Sequence, residues 1–239
     1  MRVEIWTDIN CPWCYVGKAR FDKALDGFEH RDQVEVVHRS FELNPSHPRD
    51  EVVPVVPLIA GKYGITETQA AQAERRIAAN AAAEGLEYRT EGRDAGNSFD
   101  MHRLLHLAAE HGRQGPLIDT LYRANFAERR SAFEGGDRLV ELAVEAGLDA
   151  GEARSVLADP ERYAAEVCAD EREAAQLGAT GVPFFVLDRA FAVSGAQPVE
   201  TFGQALEQAW AHRSPLTVVD GSRRSEACGP DGCALPDRG

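Results

Sequence analysis

Two cysteines separated by a proline and a tryptophan, Cys11-Pro12-Trp13-Cys14, stand where a strand-like pattern gives way to a helical one. Residues 2–8 alternate in the manner of a buried strand, with Val3 and Ile5 set against Glu4 and Thr7. From 12 to about 28, Val16, Ala19, Ala24, Leu25 and Phe28 supply one helical face. Pro12 suits the first helical position, where its missing N–H would have no partner anyway. Cys11 then lies at a helix N-terminus, whose free N–H groups and positive dipole end favour a thiolate. Thiols so placed have pKa values lowered to about 3.5–7.5, against about 8.5 when free. A spacing of three puts Cys14 on the next turn, within reach of a mixed disulfide at Cys11. The pattern predicts a nucleophile at Cys11 and a more buried resolving residue at Cys14. The same spacing also fits a zinc knuckle, which the strand–helix setting and Pro12 disfavour.

The rest of the chain frames this junction. Residues 34–41 read as a second strand, which completes a βαβ unit. Pro45, Pro48, Pro54 and Pro57 predict a loop, after which Thr66-Glu67-Thr68-Gln69 opens a helix as a capping box, with Gly85 as its stop. Asn97 or Ser98 caps a helix running to about 111 that carries Leu104, Leu105 and Leu107. Further helices are expected at 116–130, 136–146 and 150–158, and another from Pro160 to Leu177. Residues 183–187 and 191–193 read as a β-hairpin, and 199–212 as a last helix. The order is α/β: a thioredoxin fold, βαβ…ββα, with an inserted all-helical domain. The expected division is 1–45 and 160–212 for the thioredoxin parts, 46–159 for the helical insertion, and 213–239 for an extended tail.

The charge balance narrows the partners. Lys and Arg number 26 against 39 Asp and Glu, a net −13, so the basic footprint of a nucleic-acid binder is absent and anionic membranes would repel the chain. No run approaches 18 apolar residues, which argues against a membrane-spanning helix. Residues 1–8 show neither a basic n-region nor an apolar h-region, so a cytoplasmic setting is expected. In that setting paired cysteines are more often redox-active or metal-binding than structural. A monomer or a homodimer fits equally well.

Three further features bear on chemistry. Val182-Pro183 precedes the third strand, and in a thioredoxin core that loop faces the cysteine pair. A cis bond there would leave the Val182 backbone open to a substrate segment. Cys228-Gly229-Pro230-Asp231-Gly232-Cys233 has Pro and Gly at the positions that suit a type I turn, and such a turn brings its flanking cysteines toward disulfide range. Residues 213–227 span up to roughly 50 Å when extended, so the second pair can reach Cys11. A second redox pair, a static disulfide or free thiols, and a four-cysteine zinc site all remain open for it. Cys168, alone on its helix, reads as a small buried apolar residue.

Residues 10–17 (NCPWCYVG), 41–45 (FELNP), 97–103 (NSFDMHR) and 180–185 (TGVPFF) together resemble the DsbA-like family, and within it the FrnE-like subgroup of dithiol–disulfide isomerases and oxidoreductases. The resemblance spans about 1–212. It implies a thioredoxin fold with a helical insertion, a CPxC site at Cys11 and Cys14, and a cis-proline at Pro183. It also supports a meaningful pair at Cys228 and Cys233. Substrate contacts are expected at Val182, Trp13, Pro12, Asn44 and His102, with Asn97 and Ser98 lining the same cleft; His102 itself reads more readily as a packed or surface side chain than a catalytic one. The implied activity is exchange with thiol- or disulfide-bearing proteins or small molecules, with no resident cofactor, no metal, and glutathione as a redox partner. The related 2-hydroxychromene-2-carboxylate isomerases and kappa-class glutathione transferases typically carry Ser in place of Cys11, and a glutathione-dependent isomerase is the alternative.

Overall fold

The computed structural model describes residues 1–213. Strand β1 (Arg2–Thr7), helix α1 (Pro12–Asp26) and strand β2 (Glu35–Ser40) form the opening unit, with β1 and β2 parallel and Val3 opposite Val36. Near the other end, β5 (Phe184–Leu187) runs antiparallel to β1, and β6 (Phe191–Ser194) antiparallel to β5. The resulting sheet has the order β2-β1-β5-β6, so the first and fifth strands are central. Helix α9 (Val199–His212) follows the hairpin and packs against α1.

Both faces of the central strands are covered, which explains why β5 is buried at all four positions. On one face Val3, Ile5, Phe185 and Leu187 meet Phe21 of α1 and Phe202 and Leu206 of α9. Phe185 and Phe202 pack edge to face with ring centroids 4.6 Å apart. On the other face Trp6, Phe184 and Val186 meet Ala174 of α8 (Ala164–Gln176).

The helical block follows β2. It comprises α2 (Val55–Tyr63), α3 (Glu67–Ala83), α4 (Phe99–Glu110), α5 (Gln114–Phe126), α6 (Gly136–Glu145) and α7 (Ala150–Ala158), with a two-stranded ribbon of β3 (Val53–Pro54) and β4 (Asp94–Ala95). The capping box is present: the Thr66 side chain accepts from the Gln69 backbone, and the Gln69 side chain from the Thr66 N–H. The large apolar cluster of α4 to α7 includes Leu104, Leu107, Leu121 and Leu142, and it reaches into the opening unit to take in Ile9, Cys11 and Cys14.

Three expectations change. Residues 55–63 are helical, not loop. Pro54 is the N-cap and Pro57 falls in the first turn, where no backbone N–H is needed, and Gly64 ends the helix in the left-handed region at φ 64°. Helix α8 begins at Ala164 rather than Pro160, because Tyr163 adopts φ 63° and interrupts the helical path. Cys168 is exposed: Val167, Asp170 and Ala174 form the buried stripe of α8, and position 168 is rotated off it.

Candidate active site

Cys11 is the N-cap of α1, with extended backbone at φ −88° and ψ 109°, and its side chain makes no capping bond. Pro12 is the first helical residue, as its fixed φ favours. No acidic side chain lies in the first turn, so the dipole's positive end is not neutralised there. A tight turn holds the cysteine: its N–H donates to the Asp8 carbonyl at 3.1 Å, and the Cys14 N–H donates to the Cys11 carbonyl at 3.0 Å. The Cys11 Sγ donates to the Val182 carbonyl at 3.5 Å, so the loop before β5 lies against the nucleophile position. The Val182–Pro183 bond is cis and Pro183 is buried. Gly17 makes this approach possible: a Cβ there would sit 2.9 Å from Pro183 Cγ and 3.3 Å from the Ala196 backbone.

Cys14 is 1% exposed and points into the molecule. Burial pushes its pKa well up, the neighbouring Cys11 adds to this, and a hydrogen bond from the Thr7 side chain opposes it. Cys11 and Cys14 are both free thiols. Cys11 is buried as well, at 4% exposure, so the two sulfurs differ less in accessibility than the spacing suggested. What distinguishes them is their surroundings: Cys11 faces the Val182 carbonyl at the helix tip, and Cys14 lies one turn below, where burial raises its pKa. Trp13 projects outward at 39% exposure, and Pro12 is half-buried beside it.

Beneath the pair lie groups the motif did not announce. Asp8 is fully buried; its Oδ1 accepts from the Asn10 N–H and its Oδ2 from the Leu43 N–H, at 3.1 and 2.7 Å. Burial alone would raise its pKa, but His102 and these two amides outweigh that and hold it below the ordinary carboxylate value. His102 Nε2 stands 3.6 Å from Asp8 Oδ1, an ion-pair separation too long for a good hydrogen bond. Thr7 and Tyr122 hydrogen-bond through their hydroxyls. Asn125 of α5 donates to the Ile9 carbonyl at 2.8 Å, tying the helical block to the loop before Cys11.

The expected contact residues separate. Val182, Trp13 and Pro12 surround the cysteine pair. Asn44 is exposed, and with Leu43, Pro57, Leu58, Gly61 and Lys62 it lines a shallow apolar depression. His102 is completely buried, and it faces Asp8 rather than the surface. Asn97 is committed to structure, donating to the His47 carbonyl and accepting from the Phe99 N–H, and Ser98 is buried. Cys228 and Cys233 lie outside the described residues. Among the described residues no cluster of three or more His, Cys, Asp or Glu side chains has the arrangement of a metal site.

Thr7, Asp8 and Tyr122 were absent from the sequence expectations. The first two adjoin the motif, and a strand's period of two puts Thr7 on the same side of β1 as Val3 and Ile5, not opposite them as the polar pattern was read. Tyr122 carries no local signal, because only the tertiary packing of α5 brings it under Cys14.

Residues 2–207 match the family described as DSBA-like thioredoxin domain. The chain belongs to that family. A probable DsbA oxidoreductase of Streptomyces coelicolor is 65% identical and superposes with a TM-score of 0.92, covering 99% of this chain and 100% of that one. Protein YwbO of Bacillus subtilis is 26% identical over 212 residues, 86% of this chain and 96% of its own. The cytosolic disulfide reductase DsbM of Pseudomonas aeruginosa, solved with glutathione, shares the fold at 19% identity, a TM-score of 0.61, and coverage of 88% and 100%. Among the described residues no helix is long and apolar enough to cross a membrane.

Proposed function

We propose that this protein is a dithiol–disulfide oxidoreductase that works through Cys11 and Cys14 as a reductase or isomerase of thiol- and disulfide-bearing substrates. The observation that carries the reading is the placement of the pair: both thiols are buried at the strand–helix junction, Cys11 at the N-cap of α1 against the Val182 carbonyl, and Cys14 one turn below, where burial raises its pKa. Family membership supports the same class of chemistry.

In the reductive direction the Cys11 thiolate attacks one sulfur of a substrate disulfide. A Cys11–substrate disulfide forms and one substrate thiolate leaves. Cys14, as its thiolate, then attacks Cys11 Sγ, and the second substrate thiolate leaves. The protein loses two electrons and its two thiol protons, and the two departing substrate sulfurs take up both. Isomerisation uses the same first step, with a substrate thiol displacing Cys11 instead. Glutathione is the proposed reductant of the Cys11–Cys14 disulfide. The spacing of Cys228 and Cys233 supports a second pair that exchanges with the first.

The deciding experiment is turnover of insulin disulfides with reduced glutathione present. Cys11→Ser is expected to abolish activity, while Cys14→Ser accumulates a substrate adduct at Cys11 that mass spectrometry detects. Activity on a small aromatic substrate that needs glutathione and survives Cys14→Ser would replace this reading with the glutathione-dependent isomerase.

A further inference from the structure

The exchange steps leave one buried group beneath the cysteines without a task. Thr7 is 2% exposed and Tyr122 1% exposed, and their hydroxyls share a hydrogen bond. Thr7 is the last residue of β1, immediately below the redox loop, whereas Tyr122 comes from α5 in the helical block. Tyr122 packs in the same apolar cluster as Cys11 and Cys14, and the Thr7 hydroxyl is turned toward Cys14.

A threonine hydroxyl has one proton to give. If Thr7 donates that proton to Tyr122, only its lone pairs face the Cys14 sulfur. Lone pairs suit a thiol S–H and repel a thiolate. If Tyr122 is the donor instead, Thr7 Oγ1 is satisfied as an acceptor and its own O–H is free to point at the sulfur. The shared bond thus has two directions, and each matches one protonation state of Cys14. The Asp8 backbone N–H is another donor toward Cys14, but it is fixed in the loop, so the reversible hydroxyl pair is the part of the surroundings that can answer a change of charge on the sulfur.

We propose that Tyr122 is a positioning residue for the resolving step: by donating to Thr7 Oγ1 it directs the Thr7 O–H onto Cys14 and stabilises the attacking thiolate. The inference rests on the dithiol-exchange reading and deepens it. In the step itself Cys14 gives up its proton, the Cys14–Cys11 bond forms, the Cys11–substrate bond breaks, and the leaving substrate sulfur takes up one proton. The hydroxyl pair consumes nothing; it reverses direction and returns. The pKa balance at Cys14 agrees, since burial and Cys11 raise it, and Thr7 and then the Asp8 backbone N–H lower it. The titratable groups around Cys14 are Cys11 on α1, Asp8 in the loop with His102 of α4 against it, and Tyr122 on α5. Of these, Tyr122 is the one that reaches the sulfur through a hydroxyl chain.

The test uses the full-length chain carrying Cys168→Ser, Cys228→Ser and Cys233→Ser, so that the first pair alone reports. Cys11 is converted to its mixed disulfide with 5-thio-2-nitrobenzoate, and release of the coloured thiolate is followed by stopped flow across pH. Without Tyr122 the Cys14 pKa is expected to rise by about one unit, with release about tenfold slower below it, as loss of one hydrogen bond to a charged group implies. Thr7→Val is expected to match or exceed the effect of Tyr122→Phe, and Thr7→Ser to restore both rate and pH midpoint. Unchanged rates and midpoints in Tyr122→Phe and Thr7→Val would overturn the inference, as would slower release with an unmoved midpoint. Failure of the underlying reading looks different: no Cys11 adduct forms, or Cys14→Ser releases the thiolate as fast as the parent.

Discussion

Two buried polar clusters meet strand β1, one on the face under α8 and one at its end under the redox loop. In the first, Glu4 accepts from Arg39 and Arg189, and Asp170 accepts from Arg39 and the Ser40 N–H with His106 beside it. Trp6 adds a bond from its indole N–H to the Asp170 carbonyl at 2.8 Å. Both carboxylates have charged partners, and none of the cluster's buried side-chain nitrogen or oxygen atoms lacks a hydrogen bond. In the second cluster both ring nitrogens of His102 lack a hydrogen bond, as do Asn10 Oδ1 and Asn125 Oδ1. Around these lie two thiols and a hydroxyl pair whose direction is not fixed.

The contrast separates scaffold from site. A saturated ionic cluster is costly to disturb and has one arrangement, so it fixes α8 on the sheet. An under-satisfied cluster forgoes stability, and here the shortfall surrounds the loop that must change chemical state. Stability and exchange should therefore respond to different substitutions.

The largest expected effect is on the saturated side. Asp170→Asn leaves Arg39 and His106 short of an acceptor and should cost about 3 kcal/mol in urea unfolding. Burial opposes the charge on Asp170, but His106, the Ser40 amide and Arg39 hold its pKa below 3.8. Its contribution is therefore present above pH 3.8 and is lost as pH falls below that value, a loss the Asn variant should not show. The rate of release from a Cys11 adduct, measured in the folded fraction, should be unchanged. A matching loss of release rate would show that the two clusters are not separate.

Next comes the contact that seats Pro183 against α1. Gly17→Ala drives a methyl group to within 2.9 Å of a ring carbon that has no rotamer to escape into. Overpacking of this kind costs about 1–3 kcal/mol. Because the displaced segment carries the carbonyl that faces Cys11, exchange should weaken as well, which thermal unfolding combined with insulin turnover would register. Here, unlike at Asp170, one substitution is expected to move both readouts.

Legibility in the sequence followed the same division. The CPWC motif at a strand–helix junction, the buried strand before it and the Thr66 capping box depend on neighbours within a few residues, and the structure places all three. The alternation read in β1 is absent, because both of its faces are covered and Glu4 and Thr7 are buried too. Helix α2 was hidden because four nearby prolines signal loop unless one knows that two of them occupy a cap and a first turn. The floor of the site was hidden for a stronger reason. Tyr122 lies 115 positions from Thr7, and His102 sits on a helix whose sequence presents it beside Arg103 with no hint of Asp8. Chain-local patterns report where the sulfurs are, and packing between the helical block and β1 determines what lies beneath them.

Glu42 joins the two clusters and gives the smallest predicted effect. Its N–H donates to Glu171 of α8 at 2.9 Å, while its half-buried carboxyl feels both Asp8 and His102. Burial raises its pKa to about 7; Glu171 and Asp8 add to the rise, and His102 and Arg49 oppose it. A carboxyl with a folded value near 7 and an unfolded value of 4.5 favours the folded state below pH 4.5, and that contribution disappears as pH rises through 7. Glu42→Gln removes the cost of ionising at this position. The variant should be more stable than its parent at pH 8 by about 1 kcal/mol or less, since solvent screens this half-buried position, with the gain shrinking toward zero near pH 4.5. A gain that is constant with pH would mean the Gln side chain packs better, and that the fold does not oppose ionisation of Glu42. A gain that follows the titration would show that burial between the site's floor and the α8 cluster holds this carboxyl above its free value.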